Sequence, residues 1–303
     1  KSLNNLGIIS WRRADYDDAE RLFLESLSIR REIGDREGEG DSLNNLGSLA
    51  SIRGENEKVG SFLRESLEIR RDINDQKGVA TSLNNLGVLS RTLGDIDEAK
   101  RLLLEALAIR REIGDRENEA NTLNNLGAIA RIRGDYDEME SLLRESLEIR
   151  KEIGDRAGEG LTLHNLALFF EKRGNYDEAE GLYGDSLTIR REIGDRRGES
   201  SSLNNLGGLL FSRGDFEEAE ALYVESLSIK REIGDRAGES GTLNDLGVIA
   251  KNREDYVEAE RLYRESARIK NEIGVPLDDW LIKNGYTDPD AEWDFPPPRE
   301  NSE

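Results

Sequence analysis

Cysteine is absent from the 303 residues, histidine and methionine occur once each, and proline five times. Without cysteine there is no disulfide, no thiolate metal site and no thiol nucleophile, and the redox compartment stays undecided. One histidine leaves no Ser-His-acid set and no histidine metal cluster, and no phosphate-cradling glycine motif is present. Metal and cofactor are therefore expected to be none, and an enzyme is not expected. Aromatics make up only 6% of the chain, and the longest apolar runs are about five residues, such as Leu166 to Phe170, too short to span a bilayer. No signal peptide is visible, and Lys1 falls inside a repeat, so the start reads as truncated and the expected location is the cytoplasm. Positive charge is scarce too. Against 64 acidic residues there are 43 basic ones, 33 of them Arg, for a formal charge of −21. Repulsion from phosphate argues against nucleic acid or an anionic membrane as partner.

What is abundant is repetition. Leu-Asn-Asn-Leu-Gly begins at Leu3, Leu43, Leu83, Leu123 and Leu203, with near-copies at Leu163 and Leu243, always 40 residues apart. A fixed period of this size indicates stacked helical units. Such an array has a thin core and much exposed helix surface, which accounts for 36% hydrophobic against 35% charged residues. The strict spacing of the apolar residues excludes disorder.

Within the unit Asp115 to Gly154, Asp115 is an N-cap for a first helix, A, running to about Arg133, with Gly134 as left-handed C-cap. Gly54, Gly94, Gly174 and Gly214 are equivalent, with Ala14 and Glu254 as end-repeat exceptions. Asp135…Glu138 reads as a capping box opening a second helix, B, as do Asp95…Glu98, Asn175…Glu178, Asp215…Glu218 and Asp255…Glu258. Helix B ends at Gly154 and its equivalents, with Asn74 in the one repeat that lacks the glycine. The basic residues Arg150-Lys151 suit the negative end of its dipole, and the Arg13, Arg53, Arg133, Arg173, Arg213 and Arg253 column suits that of helix A. Leu123, Leu126 and Ala130 share one face of helix A, and Leu142, Leu143, Leu147 and Ile149 face them from helix B.

This pattern resembles the tetratricopeptide repeat (TPR). Leu3, Leu6-Gly7, Ala19, Phe23 and Ser26 fall at its spacings, as do Leu203, Leu206-Gly207, Ala219, Tyr223 and Ser226. The 40-residue unit is similar to those of kinesin light chains, Leu-Gly-Asn-type spindle-orientation adaptors and bacterial Rap-type regulators. Repeat two departs most, at Gly60 and Phe62. The resemblance covers residues 1–274 and implies an all-α fold, a right-handed α-solenoid superhelix of seven helix-turn-helix TPR units. A short capping helix (Leu277 to Asn284, with Trp280 and Leu281 covering the last seam) and an acidic, aromatic tail are expected over 275–303. The resemblance also implies a concave face, lined by A helices, that holds a peptide or partner helix.

On that face stand Asn5, Asn45, Asn85, Asn125, Asn165 and Asn205, with Asn4, Asn44, Asn84, Asn124, Asn204 and Asn244 beside them. A column of primary amides can grip an extended peptide backbone, or one Asn of each pair can bond the next repeat's helix and hold the stack. Specificity would come from varying positions near the middle: Val88, Arg91, Thr92, Ala128, Arg131, Ile132, Leu168, Glu171 and Lys172. Arg91 and Arg131 suit a partner carboxylate. His164 replaces an Asn in the ladder, either as a tolerated polar residue or as a pH-sensitive contact. The expected function is a non-enzymatic scaffold that binds a protein or peptide. The alternative is the sensor or autoinhibitory arm of a larger regulator with its effector domain upstream, since Leu3, Ile8 and Ile9 lack a covering helix. Trp293 and Phe295 would anchor the tail if it docks into a groove, its own or a neighbour's, which makes self-association the further expectation.

Overall fold

A computed structural model describes residues 2–277, and within it every regular element is an α-helix. There are fourteen: α1 (Ser2–Arg12), α2 (Tyr16–Glu32), α3 (Arg36–Ile52), α4 (Asn56–Asp72), α5 (Gln76–Thr92), α6 (Ile96–Ile113), α7 (Arg116–Arg133), α8 (Tyr136–Ile153), α9 (Arg156–Lys172), α10 (Tyr176–Glu192), α11 (Arg196–Arg213), α12 (Phe216–Glu232), α13 (Arg236–Asn252) and α14 (Tyr256–Glu272). They pair as seven A–B hairpins. The chain divides into two compact bodies, Lys1–Asp155 with four hairpins and Arg156–Glu303 with three. Within each body every helix packs on the next in sequence. The expected capping helix and the tail anchors Trp293 and Phe295 lie outside the described residues.

The helix ends follow from backbone chemistry. The glycines after the helices all adopt φ between 69° and 92°, and Asn74, Ala14 and Glu254 take the same left-handed conformation at φ 57°, 61° and 62°. The A-helix N-caps work where the third helical residue is glycine: Asp35, Asp75, Asp195 and Asp235 accept from the Gly38, Gly78, Gly198 and Gly238 amides at 2.9–3.0 Å. Asp115 makes no such bond, because Asn118 stands there and its own amide takes both carboxylate oxygens at 3.0 and 2.9 Å. The reciprocal capping boxes expected for helix B do not form. Asp95 and Asp255 accept from the Glu98 and Glu258 amides, but the glutamates turn to Arg101 and Arg261 instead. Asp135, Asn175 and Asp215 make no side-chain cap bond, and Glu138 pairs with Lys100 at 2.7 Å. Charged partners nearby outcompete the local backbone donor.

Six of the seven hairpins close where a helix A glycine meets a large helix B side chain, Ala167 taking its place in the fifth. A Cβ on Gly7 would stand 2.6 Å from Phe23, on Gly87 2.8 Å from Leu103 and on Gly247 2.5 Å from Tyr263. Repeat two packs like the others, with Val59 and Leu63 buried. The first basic residue of each helix B end is buried rather than solvated at a dipole: Arg30, Arg70, Arg110, Arg150, Arg190, Lys230 and Lys270. Arg70 reaches Asp75 and Asp41, both at 2.8 Å, and Arg110 reaches the Asn118 carbonyl at 2.7 Å. The Arg column at the helix A ends also does more than compensate a dipole. Arg53 pairs with Asp17 and Glu20, Arg133 with Asp97, Arg213 with Glu180 and Arg253 with Glu220, each a residue of the preceding hairpin.

Candidate partner-binding face

The A helices carry both asparagine columns at mostly part-exposed positions, and Asn84 and Asn204 also reach their own B helices at Arg110 and Lys230. Their amides form rungs. Asn45 Nδ2 donates to Asn4 Oδ1 at 3.1 Å, Asn85 to Asn44 at 2.9 Å and Asn125 to Asn84 at 3.2 Å. Each rung therefore ties one repeat to the one before, which is the second of the two roles expected for the columns. The rung does not exhaust the amides. One Asn of each linked pair keeps N–H capacity and the other keeps a carbonyl lone pair, the two polarities a peptide backbone requires. Asn84 spends part of this capacity in a long 3.4 Å contact to Asn85. Asn124 and Asn165 are half-buried on α7 and α9.

His164 lies beneath the face and is not presented to a partner. It is 9% exposed, its Nε2 stands 3.1 Å from Asn205 Nδ2, and its ring meets Tyr183 edge-on at 5.4 Å. Because an amide nitrogen only donates, Nε2 accepts and the proton sits on Nδ1. Burial, then the neighbouring Arg190 charge, lowers its pKa from 6.5 to about 4. Asp245 replaces the second Asn in the last repeat and reverses the rung, accepting from Asn204 Nδ2 at 3.2 Å.

Among the candidate specificity residues, Arg91 is half-exposed and Arg131 and Lys172 are exposed. None of the three has an ion-pair partner among the described residues. Beside Arg91 a cleft of about 340 Å³ opens over Ser48, Ser51, Val59, Leu63, Val88 and Thr92. The structure brings Asn85, Val88 and Thr92 together there with helix B residues that the helix A pattern alone leaves out. The one sequence signal for that contribution is the departure of repeat two at Gly60. No group of three or more potential metal ligands assembles among the described residues.

The tetratricopeptide repeat profile matches residues 1–72, 54–112, 78–152, 118–192, 159–232 and 198–272. The chain belongs to the tetratricopeptide repeat family. No curated protein matches it in sequence. Among solved structures, this TPR chain superposes on a signal transduction ATPase (STAND) protein with a tetratricopeptide repeat sensor from Pyrococcus horikoshii. The TM-score is 0.71 at 20% identity, over 93% of this chain and 42% of that one. The chain thus spans less than half the length of that protein. The apo form of RapI superposes at TM-score 0.68 and 16% identity, over 90% of this chain and 97% of that one. Kinesin light chain-like repeats from Podosopora anserina superpose at TM-score 0.53 and 18% identity, covering 63% of this chain and 95% of that one. At these identities the likeness is one of fold, and the TPR fold suggests protein–protein interaction.

Proposed function

We propose that this TPR array is a non-enzymatic cytoplasmic scaffold whose A-helix face holds a peptide or helical segment of a partner protein. The observation that carries the reading is in the N-terminal body. Arg91 and Arg131 stand unpaired one repeat apart, in a chain where Arg31, Arg53, Arg70, Arg111 and Arg116 all engage carboxylates. A cleft with Val59, Leu63 and Leu89 in its wall is lined by Asn85, Val88 and Thr92 of α5, the helix that carries Arg91. A segment with an apolar side chain for the cleft and carboxylates for the two guanidinium groups fits that surface, and charge-assisted bidentate contacts would give it direction. The spare amide functions of Asn45, Asn85 and Asn125 would hold its backbone, with Asn84 and Asn124 alongside. Asn165 and Asn205 serve the same role in the C-terminal body, with Lys172 as a specificity position there.

Selection of a displayed random-peptide library on the full chain tests this. Acidic peptides with one large apolar residue are expected to enrich, and to lose binding in Arg91→Glu/Arg131→Glu and in Ser48→Leu. Leucine is the residue repeat five carries at the Ser48 position. Enrichment without acidic residues, or equal binding by both variants, would sink the reading. A tail peptide spanning Asp288 to Pro296 belongs in the same assay as the self-association arm.

A second reading, the sensor arm of a larger regulator, is favoured by the superposition on the STAND protein's repeats. A nucleotide-binding or DNA-binding domain in the same reading frame upstream of Lys1 would support it, and a further repeat or capping helix there would favour the simple scaffold.

A further inference from the structure

In the C-terminal body the A helices carry three departures from the repeat pattern. Glu171 stands where Arg91 and Arg131 do, Gly208 where Val88, Ala128 and Val248 do, and Asp245 where Asn is the rule. Gly208 lies against Tyr223, and the two carboxylates act on the same side chain electrostatically. Tyr223 on α12 is 5% exposed, its ring packs under Gly207, and a Cβ added to Gly208 would lie 3.4 Å from its hydroxyl oxygen. The hydroxyl therefore points into the space that a residue-208 side chain would occupy, and it has no hydrogen-bond partner among the described residues. The oxygen is not sealed from solvent, so it is free to accept a donor brought to the face.

The groups around it are acidic. Glu171 accepts the Tyr183 hydroxyl at 2.7 Å and has no ion pair among the described residues. Asp245 accepts from Asn204 and feels the charge of buried Lys230, whose ammonium donates to Asn204 Oδ1 at 3.0 Å and Thr242 Oγ1 at 2.6 Å and keeps one N–H. Burial, then the negative charges of Asp245 and Glu171, pushes the Tyr223 phenol up. Two carboxylates and a hydroxyl do not make a metal site, and no three-ligand group assembles among the described residues.

We propose that the gap over Gly208 receives the cationic head of a lysine or arginine side chain of the bound segment, with Glu171 and Asp245 supplying the charge and the Tyr223 hydroxyl accepting an N–H. Glycine at position 208 leaves room for the aliphatic stem. The proposal rests on the A-helix face being the partner surface, and it names what the C-terminal body selects there. The N-terminal body takes carboxylates, the C-terminal body a cation.

The test needs no partner. Full-length ¹⁵N-labelled protein is titrated with N-acetyl-arginine amide, N-acetyl-lysine amide and the neutral N-acetyl-citrulline amide, while the Gly208 backbone and Asn205 side-chain resonances are followed. Saturable shifts with arginine or lysine amide and none with citrulline are expected. Glu171→Gln or Asp245→Asn should weaken half-saturation about tenfold, as loss of a charge-assisted contact would. Asp245→Asn restores the residue of the other repeats, and Gly208→Val inserts the residue of repeats three and seven, so both should keep the fold. The latter should abolish the shifts without changing any charge. Equal shifts with citrulline, or shifts that survive Gly208→Val, overturn the proposal. Either result leaves the library selection on Arg91 and Arg131 standing, so the two readings fail separately.

Discussion

Ala14 and Glu254 hold left-handed backbone at φ 61° and 62°, where the other A-helix C-caps are glycine. A Cβ in that region costs about 1–2 kcal/mol, offset in part by the smaller entropy a non-glycine residue loses on folding. Glu254→Gly is therefore expected to raise stability by about 0.5–1 kcal/mol, read as a higher urea midpoint; an unchanged or lower midpoint would mean that the Glu254 side chain makes a compensating contact. His164 gives a pH-dependent counterpart. Its folded pKa, about 4, lies below the unfolded value of 6.5. The unfolded chain binds the extra proton, so the stabilisation is complete above pH 6.5 and is lost as pH falls toward 4. The loss at the low end is on the order of 3 kcal/mol. A proton on Nε2 would also face the Asn205 amide and break the rung. His164→Asn, the residue of the other rungs, should flatten the C-terminal body's melting profile between pH 6.5 and 4.5. An equally steep profile in the variant would assign the acid sensitivity elsewhere.

At the scale of the helix, the stack is held by bonds that cross from one hairpin to the next. A double-mutant cycle on Asn44 and Asn85 isolates one of them. Each alanine variant should cost about 1 kcal/mol, with a coupling of at least 0.5 kcal/mol for a part-buried amide pair. Zero coupling would mean that the 2.9 Å rung contributes nothing in solution. The helix boundaries were legible in the letters because they depend on nearest neighbours: Asp115 and Gly134 bracket a helix at Arg116–Arg133, and Asn74 could be read as a cap from its backbone tolerance alone. Two of the failures share one cause. Whether Glu138 closes a capping box or joins Lys100, and whether Arg53 faces water or Glu20, is decided by a residue 33 to 38 positions away. Spacing within one helix carries no such information. The asparagine columns show both sides, since their face followed from helical geometry while the rung became visible only with adjacent repeats in place. Tyr223 was legible as a core residue of the repeat, but its free hydroxyl depends on Gly208, Glu171 and Asp245 together.

Across the whole molecule, each helix packs chiefly on its sequence neighbours within its body, with lighter contacts to the helix two places on. Stability then becomes a sum of local terms rather than one cooperative quantity. Tyr263→Ala, which empties the space beside Gly247, should cost about 3–5 kcal/mol locally. Amide exchange should quicken in α13 and α14 and stay unchanged in α3 and α4. A uniform loss of protection along the chain would show that the array unfolds as a single unit.

The rungs between asparagines always span 41 residues, one more than the repeat. Removing a block of 40 residues, such as 76–115, would set Asn125 against Asn44 in the same register, and duplicating the block would add a rung of the same kind. Gene length can thus change by whole repeats with every new junction already complementary, whereas a one-residue insertion leaves amides facing hydrocarbon. The ladder acts as a ruler, letting recombination lengthen or shorten the A-helix face in fixed steps without redesigning any interface.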